Sequence, residues 1–125
     1  MKEELGRRDS EIVAGYLKAY EALPTRAEAL HDLMRYCRKM ERHALGYLIG
    51  KLAVTIAAPA SGLFIEPWIY NYGVWDEFAV AAYWTGRYRD SLDACLKILR
   101  DGKIPADERD RIERNADFAI AKLKS

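Results

Sequence analysis

WDEFAVAAYWTGRYRDSLDACLKI, residues 75–98, reads as two apolar helical stripes joined by one Gly-Arg-Tyr turn. On the first limb Trp75, Phe78, Ala79, Ala82 and Tyr83 recur at steps of three and four, so they share one face of a helix. Asp76 and Glu77 stand near its start, where the helix dipole favours acids. Gly86 breaks that helix. On the second limb Tyr88, Ser91, Leu92, Cys95, Ile98 and Leu99 form a stripe of their own, while Arg89, Asp90, Asp93, Lys97 and Arg100 face water. A connection this short folds the limbs back on each other as an antiparallel pair.

The same layout occurs forty-five positions earlier, where Leu30, Met34, Cys37, His43, Gly46 and Ala53 stand in the places of Trp75, Ala79, Ala82, Tyr88, Ser91 and Ile98. This is an internal repeat, and its spacing exceeds the roughly 34-residue tetratricopeptide period because about eleven residues around 59–70 lengthen the connection. A third, partial copy opens the chain: Tyr16, Ala19 and Pro24 read as a second helix with its closing proline, so the chain reads as a piece of a longer array. The expected architecture is all-α: tetratricopeptide-like antiparallel helix pairs stacked in a short right-handed array of about six helices. It comprises a single domain over 1–125, with a partial repeat at 10–24, a repeat at 25–59, an insertion at 60–71, a repeat at 72–105 and a terminal helix at 106–123.

The predicted helices cover 11–22, 26–40, 42–57, 74–85, 88–101 and the stretch from Pro105 to 123, with a short helical turn opened by Pro67. Ser10 or Asp9 is the expected cap of the first, and Pro24 forbids its extension. Thr25 and Glu28 have capping-box spacing for the second. Gly102 supplies a left-handed stop for the fifth.

Twenty Lys and Arg against nineteen Asp and Glu leave no polyelectrolyte signal for nucleic acid or an anionic membrane. The one long apolar stretch, 48–59, contains Lys51 and is too short to span a bilayer, so no membrane span is expected. The charged amino terminus lacks the apolar segment of a secretory signal, which makes the cytoplasm the expected location. Cys37 and Cys95 take corresponding places in two repeats and are expected as buried structural thiols.

Gly-rich phosphate loops, nucleophile elbows and metalloprotease helices are absent from the sequence. The two histidines, His31 and His43, have no Cys or carboxylate at metal spacing beside them. Asp76 and Glu77 point about 100° apart on a helix, poor geometry for an acid and base acting together. No catalysis, metal or cofactor is therefore expected. The stretch LFIEPWIYNYGVWDE, 63–77, concentrates Phe64, Trp68, Tyr70, Tyr72 and Trp75, which either anchor the insertion to the core or line a binding surface.

Four strings together, AYEALPTRAEAL (19–30), LFIEPWIY (63–70), WDEFAVAAYWTGRY (75–88) and RIERNADF (111–118), resemble the tetratricopeptide-type helical region found beside nucleotide-sugar-dependent glycosyltransferase domains in many bacterial proteins. The likeness covers nearly the whole chain. In that family the sugar-transfer chemistry belongs to a separate α/β domain with an acidic metal-binding motif, and these residues contain none. The resemblance thus implies an accessory or substrate-presenting module. The chain departs from the repeat consensus at Met34, at Glu41 in place of the turn glycine, and at Ile98.

Helical arrays of this kind present a concave wall built from the first helix of each pair. Periodicity assigns to that wall Glu28, His31, Asp32, Arg35, Arg38 and Lys39 on the second helix, Asp76, Val80, Tyr83 and Trp84 on the fourth, and Asp110, Arg114 and Asp117 on the sixth. The chosen binding residues are His31, Arg35, Arg38, Asp76, Tyr83 and Arg114. Arg35 and Arg114 form two guanidinium forks around Tyr83, suited to an acidic protein or peptide partner. The expected function is a non-catalytic protein- or peptide-binding repeat module. Two alternatives stay open: the accessory region of a glycosyltransferase, and a self-assembling module that forms a homodimer.

Overall fold

The computed structural model describes residues 2–60 and 65–125 and, among these, holds six α-helices and no strand. They are α1 (Lys2–Ala22), α2 (Glu28–Lys39), α3 (His43–Ala53), α4 (Val74–Trp84), α5 (Tyr88–Asp101) and α6 (Arg109–Leu123). Each helix packs on the next in sequence, and α4 also packs on α2. No described helix is long and apolar enough to cross a membrane.

The internal repeat is written in the backbone of the two tight turns. Met40 (φ −96°, ψ 7°) and Thr85 (φ −99°, ψ 8°) end α2 and α4, and Arg42 (φ −93°, ψ 64°) and Arg87 (φ −93°, ψ 63°) open α3 and α5. Arg42 N donates to Cys37 O and Arg87 N to Ala82 O, both at 2.8 Å. Glu41 N and Gly86 N donate to Arg38 O and Tyr83 O. These are two Schellman endings, which need a left-handed residue at their centre. Gly86 supplies it at φ 80°, whereas the first turn places Glu41 there at φ 56°.

Close approach between the helices depends on small residues. On α3, Gly46 and Gly50 face the neighbours, and a Cβ at Gly50 would lie 2.7 Å from the Phe78 ring and 2.9 Å from the Met34 methyl. Around that contact the core collects Leu30, Leu33, Met34 and Cys37 from α2, Phe78, Ala79 and Ala82 from α4, Leu92, Cys95 and Ile98 from α5, and Ile112, Ala116 and Ala119 from α6. The Ser91 hydroxyl, buried between α4 and α5, donates to Ala79 O at 2.8 Å. Trp75 is only half-buried, with Lys97 Nζ 5.1 Å from its ring centre, so Phe78 rather than Trp75 anchors the start of α4.

Several boundaries differ from those expected. The first helix starts at Lys2 rather than near Glu11, because Asp9 is not a cap. Its carboxylate accepts from the Tyr36 hydroxyl of α2 at 2.6 Å and pairs with Arg42 at the start of α3. The capping box does not form either: Ala27 takes the N-cap position without a side-chain cap, and Glu28 turns to Arg26 and Tyr70. The third helix stops at Ala53, before the β-branched run Val54, Thr55 and Ile56, and the Thr55 hydroxyl bonds Leu52 O. Pro67 does open a helical turn, but that turn runs through a π-turn (Ile69–Gly73) straight into α4. Of the aromatic stretch, Leu63 and Phe64 lie outside the described residues. A 3-10 turn (Ala106–Glu108) precedes α6.

Three substitutions test this packing and the turn geometry. Gly50→Ala should lower stability by about 1 to 3 kcal/mol through overpacking, outweighing the helix-propensity gain. In the same urea titration Gly15→Ala, whose Cβ would meet nothing within 4 Å, should raise it by up to about 1 kcal/mol. At the first turn, Glu41→Gly relieves a left-handed non-glycine residue, and its melting temperature should rise by about 4 °C for a gain of about 1 kcal/mol.

Candidate binding groove

One stripe of α4, made of Asp76, Val80, Tyr83 and Trp84 at helical spacing, forms the floor of a groove flanked by α2 and α6. Towards the start of α4 lies a hollow of about 290 Å³ bounded by Arg38, Asp76, Glu77, Val80 and Arg111. Towards its end lies a second, of about 170 Å³, between Tyr83, Trp84, Asn115 and Phe118, with Ala79 and Ser91 beneath. Val80 lines both, so the two hollows are neighbours along α4 on either side of its side chain.

The first hollow is polar and internally paired. Arg38 Nε donates to both Glu77 oxygens at 3.2 and 2.9 Å, tying α2 to α4. Arg111 donates through both terminal nitrogens to Asp76 at 3.0 and 2.6 Å and through Nε to Glu108 at 2.7 Å, tying α6 to α4. Its hydrogen bond to Asp76 raises the guanidinium's pKa against the opposing effect of burial. The second hollow is aromatic: Tyr83 meets Trp84 edge-on at 5.3 Å and Tyr88 at 5.5 Å, and Phe118 lies 6.4 Å away. Trp84 also stacks on His43 at 5.8 Å. Trp84 and Phe118 nevertheless remain 64% and 56% exposed, which is unusual for two large rings beside a core.

Of the six residues chosen from the sequence, the groove contains Arg38, Asp76 and Tyr83. His31 is instead buried at 3% exposure, because Trp68 of the helical turn before α4 lies edge-on against it at 5.0 Å. Its Nδ1 has no hydrogen-bond partner, and burial lowers its pKa against the opposing pull of Glu77 and Asp32. Arg35 lines a different hollow, between α1 and α2, with Tyr16, Asp32, Tyr36 and Lys39. Arg114 is exposed on α6, outside both hollows of the groove. The expected convergence of Arg35 and Arg114 around Tyr83 is therefore absent from the groove. On α6 its lining is Arg111, Asn115 and Phe118, each one position beyond Asp110, Arg114 and Asp117. The signal for that phase was present: Ile112, Ala116 and Ala119 form the inward stripe of α6, and these three residues border it.

A second polar cluster fixes the segment before α4. The Tyr70 hydroxyl donates to Glu28 at 2.5 Å and accepts from Ala27 N at 3.0 Å, replacing the cap that Thr25 does not provide. Arg26 grips the same carboxylate at 2.6 Å. Burial pushes the Glu28 carboxyl up, but the hydrogen bonds from Arg26 and Tyr70 prevail and hold it at about 2. Cys37 and Cys95 are buried free thiols, with Cys95 pushed up to about 11 by burial. Among the described residues no three His, Cys, Asp or Glu side chains gather to hold a metal ion.

Comparison with family models, with curated proteins and with solved structures finds no match to this chain.

The Glu28 cluster gives a pH prediction. A carboxyl held at about 2, against 4.5 ordinarily, contributes stability that is complete above pH 4.5 and is lost as the pH falls from there towards 2. Glu28→Gln should cost about 2 kcal/mol at neutral pH, the range for a hydrogen-bonded charged group. The gap between wild type and variant should narrow across that acid window in urea unfolding at stepped pH. A constant gap would assign the loss to shape rather than charge.

Proposed function

We propose that this chain is a non-catalytic, tetratricopeptide-like module that binds a protein or peptide partner along the α2–α4–α6 groove. The observation that carries the reading is the continuous stripe from Asp76 to Trp84, which joins a polar hollow to an aromatic one and leaves Trp84 and Phe118 exposed at its end. Exposed aromatics beside a preformed depression have the composition of binding hot spots. The ion pairs on either side of α4 hold that depression open and shaped before any partner arrives, so little ordering is required on binding. The buried, unpaired thiols are compatible with the cytoplasm, where such thiols stay reduced. The resemblance of the four strings to helical regions beside glycosyltransferases gives the alternative reading, an accessory or substrate-presenting region whose chemistry is supplied elsewhere.

Val80→Arg fills the junction of the two hollows from a half-buried position and should leave the helical circular dichroism spectrum unchanged. Wild type and Val80→Arg are immobilised side by side and exposed to native-cell extract, with retained proteins read by mass spectrometry. A partner held by wild type and lost from the variant is the expected result. Identical retention by both, or retention by neither, would overturn the groove as the binding site.

A further inference from the structure

The groove is layered, and the layering specifies what can lie in it. At its polar end the carboxylates are the inner layer and the guanidiniums the outer: Glu77 and Asp76 are 12% and 18% exposed, against 43% for Arg38 and 39% for Arg111. Arg111 has each of its three nitrogens engaged with a carboxylate. Arg38 spends only Nε on Glu77, which leaves both its terminal nitrogens without a partner among the described residues. A bound segment therefore meets unspent N–H donors on a cation, and these favour a carboxylate over any basic group.

The aromatic end specifies a size. A cavity of about 150 Å³ lined by apolar side chains admits a benzene ring, and the hollow between Tyr83, Trp84 and Phe118 measures about 170 Å³. One ring-sized or leucine-sized side chain fills it. Its polar lining is sparse: the Ser91 hydroxyl is already committed to Ala79 O, and the Asn115 amide, with the Tyr83 hydroxyl and the Trp84 indole N–H, is left to bond a passing backbone. The two ends are separated by the seven-residue step from Glu77 to Trp84, about 10 Å along the helix axis. An extended chain covers that span in about three residues.

We infer that the groove takes an extended peptide segment with one apolar anchor side chain, seated between Trp84 and Phe118, and a carboxylate about three residues away on Arg38. This rests on the peptide-binding reading and narrows it to one sequence pattern. Arg38 is the contacting cation, while Arg111 and Asp76 position α6 against α4.

The test uses a library of random displayed peptides selected on the intact chain, with enriched peptides resynthesised carrying a fluorescent label for polarisation titrations. Expected are peptides sharing an aromatic or leucine residue with Asp, Glu or a terminal carboxylate about three positions away. Replacing the anchor by Ala, or the acid by Lys, should weaken binding at least tenfold. On the protein side Phe118→Ala should remove the preference for the anchor, and Arg38→Gln the preference for acid over amide, each without loss of helical content. Enriched peptides that lack this spacing, carry a basic residue in place of the acid, or bind Arg38→Gln with undiminished acid preference overturn the inference while leaving peptide binding intact. No enriched peptide at all overturns the peptide-binding reading and this inference together. So does a concentration-dependent dimer in light scattering that Val80→Arg dissociates, because the groove is then filled by a second copy.

Discussion

Everything in this chain hangs on two three-residue turns that reverse the helix direction with the same backbone geometry. Because each turn closes two hydrogen bonds onto the preceding helix, the outgoing helix leaves at a fixed angle, and its apolar stripe has to lie against the one just completed. The constraint is strong enough that a glutamate occupies a left-handed position at Glu41, where the second turn uses glycine. Once α2–α3 and α4–α5 are formed, Gly46 and Gly50 let α3 approach both α2 and α4. That contact brings the first helices of the two pairs side by side. The groove is a consequence of this spacing, since α4 is bordered by α2 on one side and by α6 on the other.

Ion pairs then convert adjacency into a defined surface. Arg38 and Arg111 reach α4 from opposite sides and meet neighbouring acids, Glu77 and Asp76. Adjacent positions on a helix diverge by about 100°, which is poor geometry for a shared reaction but suits two separate arginines arriving from two different helices. The same two carboxylates that could be dismissed as dipole partners from the sequence are thus the seam of the module. Beyond them the stripe turns apolar, and the rings of Tyr83, Trp84 and Phe118 gather around the second hollow.

The helices and the repeat were legible because periodicity reports burial directly, and the α4 side of the groove followed from the same periodicity. Legibility failed where the edge of a wall was set one position away from the one burial fixes. On α6 the inward stripe of Ile112, Ala116 and Ala119 gives the phase directly, and it places Arg111, Asn115 and Phe118 on the wall instead of their preceding neighbours. His31 failed for another reason: the segment before α4 folds back and covers it, a long-range contact that no local pattern announces. Glu28 illustrates the same limit. Its spacing from Thr25 suits a capping box, yet a phenol from forty-two positions away competes successfully for it.

The π-turn at Ile69–Gly73 has a consequence for how such a module changes over time. Val74 N reaches back to Ile69 O, so this turn contains one residue more than an α-helical turn would. Everything before it is rotated relative to α4 by that extra residue. Deleting a single residue there would restore α-helical winding and carry Trp68 about 100° around the axis, away from the glycine surface at Gly73 and off His31. The imidazole would then lose the ring that lies edge-on against it. In this fold a one-codon change can alter the surroundings of a buried histidine without touching the histidine itself.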